Sequence, residues 1–223
     1  MRITSVKPQK SSNRFNIFLD EKFALGVGED LVVDKRLLTG KEINQKELED
    51  LIFEAEAEKL MEKIYLLLNL RPRSEKEIRD YLKYVSFKRK IKGGDEISDL
   101  VIDYILQKLK QKELINDLEF AKLWVKSRSK KMGPLVLKTE LFKKGISKEI
   151  IDQVSSVIYQ ASSQEITAKI LIDKKLKRWK NLPKLILRKK AIEFLLRKGF
   201  GYGLSKSLVD NLVGLKYDTE EEI

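Results

Sequence analysis

The amino-acid sequence predicts a mainly α-helical protein in which three tandem three-helix repeats form an elongated arc, with a small β-meander at the N-terminus. Three observations lead to this fold class. Apolar and polar residues alternate only within the first 33 residues. Along almost all of the remaining chain, apolar residues recur at spacings of three and four, as on the buried face of a helix. A helix-ending pattern also occurs three times at intervals of about 55 residues, which is typical of repeat proteins.

The first 33 residues fit three short strands joined by polar turns. Apolar side chains alternate within residues 3–6, 15–19 and 23–27. Because successive side chains of a strand point to opposite faces, this alternation predicts strands with one buried face. The polar segments 10–13 and 20–21 supply the turns between them. Since a few short strands are only marginally stable alone, we expect the meander to pack on the helix that follows.

A helix after the strands is predicted by a capping signal. Asn44 precedes Glu47 by three positions, so each side chain can accept a hydrogen bond from the backbone N–H of the other residue at the start of a helix. Apolar residues then recur at helical spacing as far as Leu70. We therefore expect one long helix that connects the meander to the repeats.

Three later segments align without gaps around a leucine that is followed, four residues on, by glycine or serine and then an apolar residue. Glycine readily adopts the left-handed conformation that ends many helices, and a lysine before it interacts favourably with the carbonyl end of the helix. Each copy is therefore predicted to contain a helix, a turn and a second helix. The three copies are Ile78–Phe87, Leu137–Ile146 and Ala191–Phe200.

The first copy departs from the other two, because it has Ser86 at the glycine position. The nine residues 88–96 that follow are rich in lysine and arginine and contain a glycine pair, so we expect an exposed loop there. A further helix is predicted after Asn116, ending near Arg128. The predicted segments are a β-rich extension (1–43), a connecting helix (44–70), three repeats (71–132, 133–182 and 183–217) and an acidic tail (218–223).

The composition argues against an enzyme. Cysteine and histidine are absent, which excludes disulfides, thiol nucleophiles, the usual zinc ligand sets and triads that need imidazole. The glycine-containing segments 26–28 and 199–203 lack the Lys-Ser/Thr pair of a phosphate-binding loop. We therefore expect no catalytic residue, no cofactor and no metal. The absence of a long apolar run or signal peptide predicts a cytoplasmic protein without a membrane partner.

Positive charge is unevenly distributed along the chain. The net charge is +12, from 46 Lys+Arg and 34 Asp+Glu. Residues 1–55 carry 9 basic and 10 acidic side chains, whereas residues 133–223 carry 18 and 11, with four of those acids in the last six residues. Such an excess of cations in the helical body points to a polyanionic partner.

Three ordered motifs resemble the RecX family of recombination regulators. They are the segments Arg71–Leu82, Leu114–Arg128 and Gly133–Ile146. The resemblance spans most of residues 55–215, and the N-terminal extension is similar to that of many Gram-positive-type members. It implies three tandem three-helix repeats that bind the RecA recombinase filament along its helical groove. It also implies modulation, usually inhibition, of strand exchange, coprotease and ATPase activities, together with contacts to DNA.

Two basic clusters are the candidate binding surfaces for the filament and for the backbone of single-stranded and duplex DNA. Between residues 174 and 198, eleven Lys/Arg accompany a single acid, Glu193, and Pro183 is expected to divide this stretch into two helices. The alternative interpretation is that these cations are solvated and only keep the protein soluble. The candidate residues are Lys174, Lys177, Arg178, Lys184, Arg188, Lys189, Lys190 and Arg197, and in the second cluster Lys126, Arg128, Lys130 and Lys131.

Other functions remain open from the sequence alone. Three-helix units can house a helix-turn-helix, so a sequence-specific DNA-binding repressor is the main alternative, although no single recognition helix stands out. A metal-dependent nuclease is a third possibility. The aromatic side chains of Phe120, Trp124, Trp179 and Phe194 fall on apolar stripes and are expected in the core, whereas Tyr81, Tyr84 and Tyr202 are expected to be exposed. We expect a monomer.

Overall fold

The computed structural model describes residues 1–10, 13–158, 161–179 and 181–214. The chain divides into two compact units, with the boundary between Ile115 and Asn116. The fold is mainly helical with one small sheet, in agreement with the predicted fold class. The predicted acidic tail, residues 218–223, lies outside the described residues.

The first unit begins with the predicted meander. Strands β1 (Ile3–Pro8), β2 (Arg14–Leu19) and β3 (Lys22–Gly28) form an antiparallel sheet in the order β1-β2-β3. The alternation of side chains buries Ile17 and Val27 completely on one face. This confirms the three-stranded meander.

Two helices follow the sheet. Helix α1 (Glu29–Asp34) has no side-chain cap and was not predicted from the sequence. Helix α2 (Gln45–Leu70) starts with the predicted capping box, in which the Asn44 side chain accepts from the Glu47 N–H at 2.8 Å and the Glu47 carboxylate accepts from the Asn44 N–H at 2.8 Å.

Polar contacts fasten the sheet to α2, as expected for a meander that cannot be stable alone. The Arg14 guanidinium is largely buried and donates to Glu62 at 2.7 Å and to the Gly26 carbonyl at 2.8 Å. One turn away on α2, the Glu58 carboxylate accepts from the Gly28 N–H at 2.6 Å. A Cβ on Gly28 would lie 2.3 Å from Glu58 Oε1, so a larger residue there would displace this carboxylate from its present position.

Helices α3 (Glu75–Ile91) and α4 (Asp99–Gln111) complete the first unit by packing on α2. The prediction of a loop over residues 88–96 is wrong for its first four residues, which form the last turn of α3. Basic side chains are favourable there, beside the carbonyl end of the helix. Ser86, at the glycine position of the repeat, stays helical, and its buried hydroxyl accepts from the Ile97 N–H at 2.9 Å.

The second unit contains two helical modules, each with its own apolar core. The first core is centred on fully buried Val125 and Leu141, and the second on fully buried Ile172 and Leu195. The helices are α5 (Asp117–Arg128), α6 (Pro134–Lys143), α7 (Lys148–Gln153) and α8 (Ser155–Ile158) in the first module, and α9 (Ala161–Trp179), α10 (Lys184–Arg197) and α11 (Tyr202–Val213) in the second.

These cores group the helices differently from the predicted repeat boundaries. Helix α5 was assigned to the first repeat and α9 to the second, but α5 packs with α6 and α7, and α9 packs with α10 and α11. The three-helix cores span residues 57–115, 120–158 and 168–209. The aligned motif lies on the second helix of each module, so its position in the sequence does not mark where a module starts.

The Lys-Gly turns of the second and third copies have the same conformation. Gly145 and Gly199 adopt φ of 80° and 88°, in the left-handed region. In both copies the N–H of the next residue donates to the leucine carbonyl five residues back, at 3.1 Å. The sequence repeat is therefore also a repeat of backbone structure.

Helix α4 ends in a turn of this kind without a glycine. The Leu114 N–H donates to the Leu109 carbonyl at 2.9 Å, and Glu113 occupies the left-handed position with φ of 54°. A left-handed conformation is unfavourable for a residue with a Cβ. We expect Glu113→Gly to increase the free energy of unfolding by about 0.5–1 kcal/mol, as measured by urea titration with circular dichroism. Glu113→Ala is the control, because it removes the carboxylate but keeps the Cβ; an equal gain from alanine would rule out backbone strain as the cause.

Candidate nucleic-acid and filament interface

The predicted basic residues project from three helices of the second unit and from the segment after α5. Ten of them are exposed, whereas Arg128 and Arg188 are half-buried. The exposed residues are Lys174, Lys177 and Arg178 on α9, Lys184, Lys189, Lys190 and Arg197 on α10, Lys126 on α5, and Lys130 and Lys131 after it.

Helix α9 carries the most coherent set of these cations. Its inner side is buried through Ala168 and Ile172, and at 3.6 residues per turn Lys174, Lys177 and Arg178 lie on the other side. Two isoleucines share this outer side and are also exposed, Ile166 by 59% and Ile170 by 51%. We call Ile166, Ile170, Lys174, Lys177 and Arg178 the α9 face.

The isoleucines of the α9 face were missed in the sequence analysis. Their spacing of four was the available signal, because two apolar residues one turn apart and opposite the buried stripe predict an exposed apolar patch. No ion pair joins Lys174, Lys177 or Arg178 to another described residue. No acid of the described residues therefore competes with a partner for these charges.

Helix α10 adds cations beside the end of α9. The Lys190 ammonium lies 5.1 Å from the centroid of the Trp179 ring, where the ring electrons attract it. Arg197 faces solvent, 3.8 Å from Glu193 on the same helix. Trp179 packs edge-to-face on Phe194, so this tryptophan belongs to the core of the module, as predicted.

Arg188 differs from its neighbours on α10, because its charge is used inside the molecule. Its guanidinium forms a two-pronged ion pair with Asp210 of α11, with Nε 2.6 Å from Oδ1 and the second nitrogen 3.1 Å from Oδ2. The two side chains are only 19% and 11% exposed. This arrangement joins α10 to α11 and favours a structural role over the predicted contact with a partner.

Arg128 is likewise engaged within its module. Its guanidinium pairs with Glu140 of α6, and the Trp124 indole N–H donates to the same carboxylate at 2.9 Å. Burial acts to raise the pKa of Glu140, but the hydrogen bonds from Arg128 and Trp124 outweigh it and lower that pKa below its ordinary value. The carboxylate therefore stays ionised and holds α5 against α6.

A groove of about 460 Å³ opens beside the basic end of α5. Apolar side chains, including Val125, Leu137 and Phe200, line its floor. Its rim carries three lysines, Lys122, Lys126 and Lys130, spaced by four residues. Lys122 was not among the predicted site residues, although this spacing places it on the same side of α5 as Lys126.

One side of α9 leads from the groove to the cations of the α9 face. Thr167 lines the groove, and Lys174 lies two helical turns further on the same side, about 10 Å along the axis. Arg178 follows after one more turn. Lysines from α5 and cations from α9 therefore border one continuous surface of the second unit.

Two glycines hold the modules of the second unit together at this groove. The Gly133 N–H donates to the Lys198 carbonyl at 2.7 Å, and the Leu135 N–H donates to the Gly199 carbonyl at 3.1 Å. The first turn of α6 thus satisfies the free carbonyls at the end of α10. A Cβ on Gly133 would lie 2.5 Å from the Gly199 carbonyl carbon, and a Cβ on Gly199 would lie 2.5 Å from the Val136 nitrogen.

The surface is suited to binding polyanions and apolar groups. Among residues 1–10, 13–158, 161–179 and 181–214, no group of three or more Asp or Glu side chains is arranged to hold a metal ion. Within the same residues, no helix is both long and apolar enough to cross a membrane. The geometry of the site is that of a binding surface formed by cations around an apolar groove.

Comparison with known proteins identifies the family. Models of the RecX N-terminal domain, the second three-helix domain and the third three-helix domain match residues 1–44, 116–154 and 164–209. The regulatory protein RecX of Listeria monocytogenes serotype 4a is 37% identical over 210 residues, covering 93% of this chain and 74% of the relative. The chain belongs to the RecX family. RecX of Bacillus velezensis is 33% identical over 224 residues, covering 99% of this chain and 80% of the relative.

Solved RecX structures have the same fold. A crystal structure of regulatory protein RecX superimposes with a TM-score of 0.73 at 26% identity, covering 94% of this chain and 98% of the other. RecX from Lactobacillus salivarius gives a TM-score of 0.57 at 26% identity, covering 70% and 96%. The second RecX three-helix domain starts at residue 116, where the second unit also starts, which supports grouping α5 with α6 and α7.

Proposed function

We propose that this RecX protein binds the RecA recombinase filament and modulates it, in the direction of inhibiting recombination, ATPase and coprotease activities. The observation that carries the proposal is the α9 face, which combines three cations that form no ion pair with any described residue and two exposed isoleucines. A nucleoprotein filament offers both matching chemistries, phosphates for the cations and apolar protein surface for the isoleucines. The groove beside α9 likewise combines lysines at its rim with apolar side chains at its floor.

The chemistry of the face favours a nucleoprotein over naked DNA alone. Contacts to phosphate need cations but gain nothing from exposed isoleucines. Contacts between two protein surfaces use apolar groups, and they are strengthened when the rims of the two surfaces carry complementary charges. Binding to single-stranded and duplex DNA through the backbone is part of the proposal, as is action as a monomer in the cytoplasm.

Reversing the charges of the α9 face should weaken filament binding without unfolding the protein. The variant Lys174→Glu/Lys177→Glu/Arg178→Glu changes exposed helix positions to a residue of similar helix propensity. At about 1 kcal/mol for each surface charge, we expect affinity for preassembled RecA filaments to fall by roughly a hundredfold. Co-sedimentation across a salt series, with naked single-stranded DNA as a parallel substrate, measures this, and the salt dependence should also become shallower.

The control carries the same charge change on another surface. Lys46, Lys59 and Lys63 are exposed on α2 of the first unit, so replacing all three with glutamate gives the same net charge. This control should retain most of its filament binding. Equal losses in both variants would show that only the net charge matters and would remove the α9 face from the proposal. Protection of one duplex sequence in the absence of RecA would instead support a repressor.

A further inference from the structure

Helix α3 of the first unit carries a second exposed surface, which the site described above does not include. Its buried side consists of Ile78, Leu82 and Ser86. On the opposite side, Tyr84 is 53% exposed, Phe87 59% and Ile91 69%. Spacings of three and four place these three side chains in one row along the helix. The row is too apolar to be an ordinary solvated helix face.

Lysines flank this row on both sides. Lys83 and Lys88 are exposed, and the Lys88 ammonium lies 4.6 Å from the centroid of the Tyr84 ring. No ion pair joins either lysine to another described residue. We call Lys83, Tyr84, Phe87, Lys88 and Ile91 the α3 platform.

Two acidic groups near the platform are neutralised by other cations. Asp80, one turn before Tyr84, pairs with Lys76 at 2.9 Å. Glu96, after the end of α3, pairs with Lys90 at 2.5 Å. The surface around the two rings therefore keeps a positive charge that complements an anionic ligand.

We propose that the α3 platform binds single-stranded nucleic acid by stacking unpaired bases on Tyr84 and Phe87, while the flanking lysines contact the phosphates. Exposed aromatic rings interleaved with cations are the arrangement that binds single strands without sequence preference. In a duplex the faces of the bases are covered by their neighbours, so the rings discriminate in favour of single strands. Phe87 and Lys83 also line a groove beside the first turn of α4, which gives the strand a concave path.

The inference deepens the proposed function, since it rests on nucleic acid being part of the target, but it concerns the other unit of the chain. A protein partner is the competing occupant of an apolar helix face. The lysines on both sides, one of which lies beside the Tyr84 ring, favour the polyanion, because an apolar protein surface would leave these charges without partners.

The test compares the full-length protein on two oligonucleotides in the absence of recombinase. One is fluorescein-labelled dT20, and the other is an abasic strand of the same length, which has the phosphates but no bases. Wild-type protein should bind dT20 at least about tenfold more tightly, since stacking contributes substantially for each base. Tyr84→Ala/Phe87→Ala should lose this preference while keeping its affinity for the abasic strand, and Tyr84→Phe/Phe87→Tyr should stay within about twofold of wild type on dT20.

The matched control removes the same two residue types from the other unit. Tyr202 and Phe142 are 60% and 55% exposed, and Tyr202→Ala/Phe142→Ala should bind dT20 like wild type. Equal wild-type affinity for the two strands, or a platform variant that binds dT20 normally, would overturn the inference. So would a platform variant that loses filament co-sedimentation alone, because that result assigns the platform to a protein partner. If the protein prefers dT20 but does not bind RecA filaments, the result supports the α3 platform as a binding site and contradicts the proposed function.

Discussion

Replacing Gly199 with alanine is expected to destabilise the second unit by about 3 kcal/mol or more. Two effects add at this position. Gly199 has φ of 88°, which is unfavourable for any residue with a Cβ. In addition, the new Cβ would lie 2.5 Å from the backbone nitrogen of Val136, and a backbone atom at the start of α6 cannot move aside as a flexible side chain can.

The damage should extend to the packing between the two modules. Any shift of α6 away from α10 lengthens the hydrogen bond from Leu135 to the Gly199 carbonyl. It also disturbs Phe200, which is 1% exposed and forms part of the groove floor. We therefore expect filament binding to fall together with stability, because the lysines of α5 and the α9 face would no longer share one surface.

Both tryptophans, Trp124 and Trp179, lie in the second unit, so urea unfolding followed by tryptophan fluorescence reports on this unit. Gly214→Ala is the matched control, since Gly214 has φ of 69° but no atom of the described residues lies within 4 Å of an added Cβ. It should cost only about 1 kcal/mol. Gly133→Ala tests the steric contact without the backbone strain, because Gly133 has an ordinary extended φ of −83°. Similar losses of stability for Gly199→Ala and Gly214→Ala would mean that the contact between α6 and the Gly199 turn can accommodate a Cβ.

The features that sequence reasoning predicted are those specified by neighbouring residues. The capping box at Asn44, the helix start after Asn116 and the glycine turn at Gly199 each depend on a few adjacent positions. Alternation in the first 33 residues was likewise enough to predict the meander. Such local features are present in the folded protein because the tertiary contacts favour the same local conformations.

The grouping of helices into modules could not be predicted in the same way. Every helix of the repeats has an apolar stripe, and the stripe does not specify which neighbour will cover it. Helix α1 has no capping side chain and only six residues, too few to show helical spacing. Tyr81 was expected to be exposed but is half-buried against the core of the first unit, because α2 and α4 cover that side of α3.

For the candidate site, the sequence located the basic helices but did not distinguish the roles of individual cations. Arg188 and Lys189 are adjacent in the chain, yet Arg188 is paired and Lys189 is exposed. The partner of Arg188 is Asp210, 22 residues away. Only the packing of α10 on α11 brings these two charges together, so charge counting assigned Arg188 to the binding surface.

Replacing Asp210 with alanine should destabilise the second unit by about 3 kcal/mol. The Arg188 guanidinium would remain in a site that leaves only 19% of its side chain exposed, without the carboxylate that accepts the hydrogen bonds from its Nε and from one terminal nitrogen. Breaking a buried ion pair from one side costs more than the pair contributes, because the remaining charge is left desolvated. Urea unfolding followed by tryptophan fluorescence measures the loss.

The double variant Arg188→Met/Asp210→Leu separates the cost of the orphaned charge from the value of the pair. Since an apolar pair of similar volume needs no counter-charge, it should recover most of the stability that Asp210→Ala loses. The exposed pair Arg197–Glu193 is the control, with side chains 65% and 49% exposed, and Glu193→Ala should change stability by less than about 0.5 kcal/mol. If the double variant also keeps its affinity for RecA filaments, Arg188 acts only in joining α10 to α11. A stable double variant with binding weakened tenfold or more would instead return Arg188 to the binding surface.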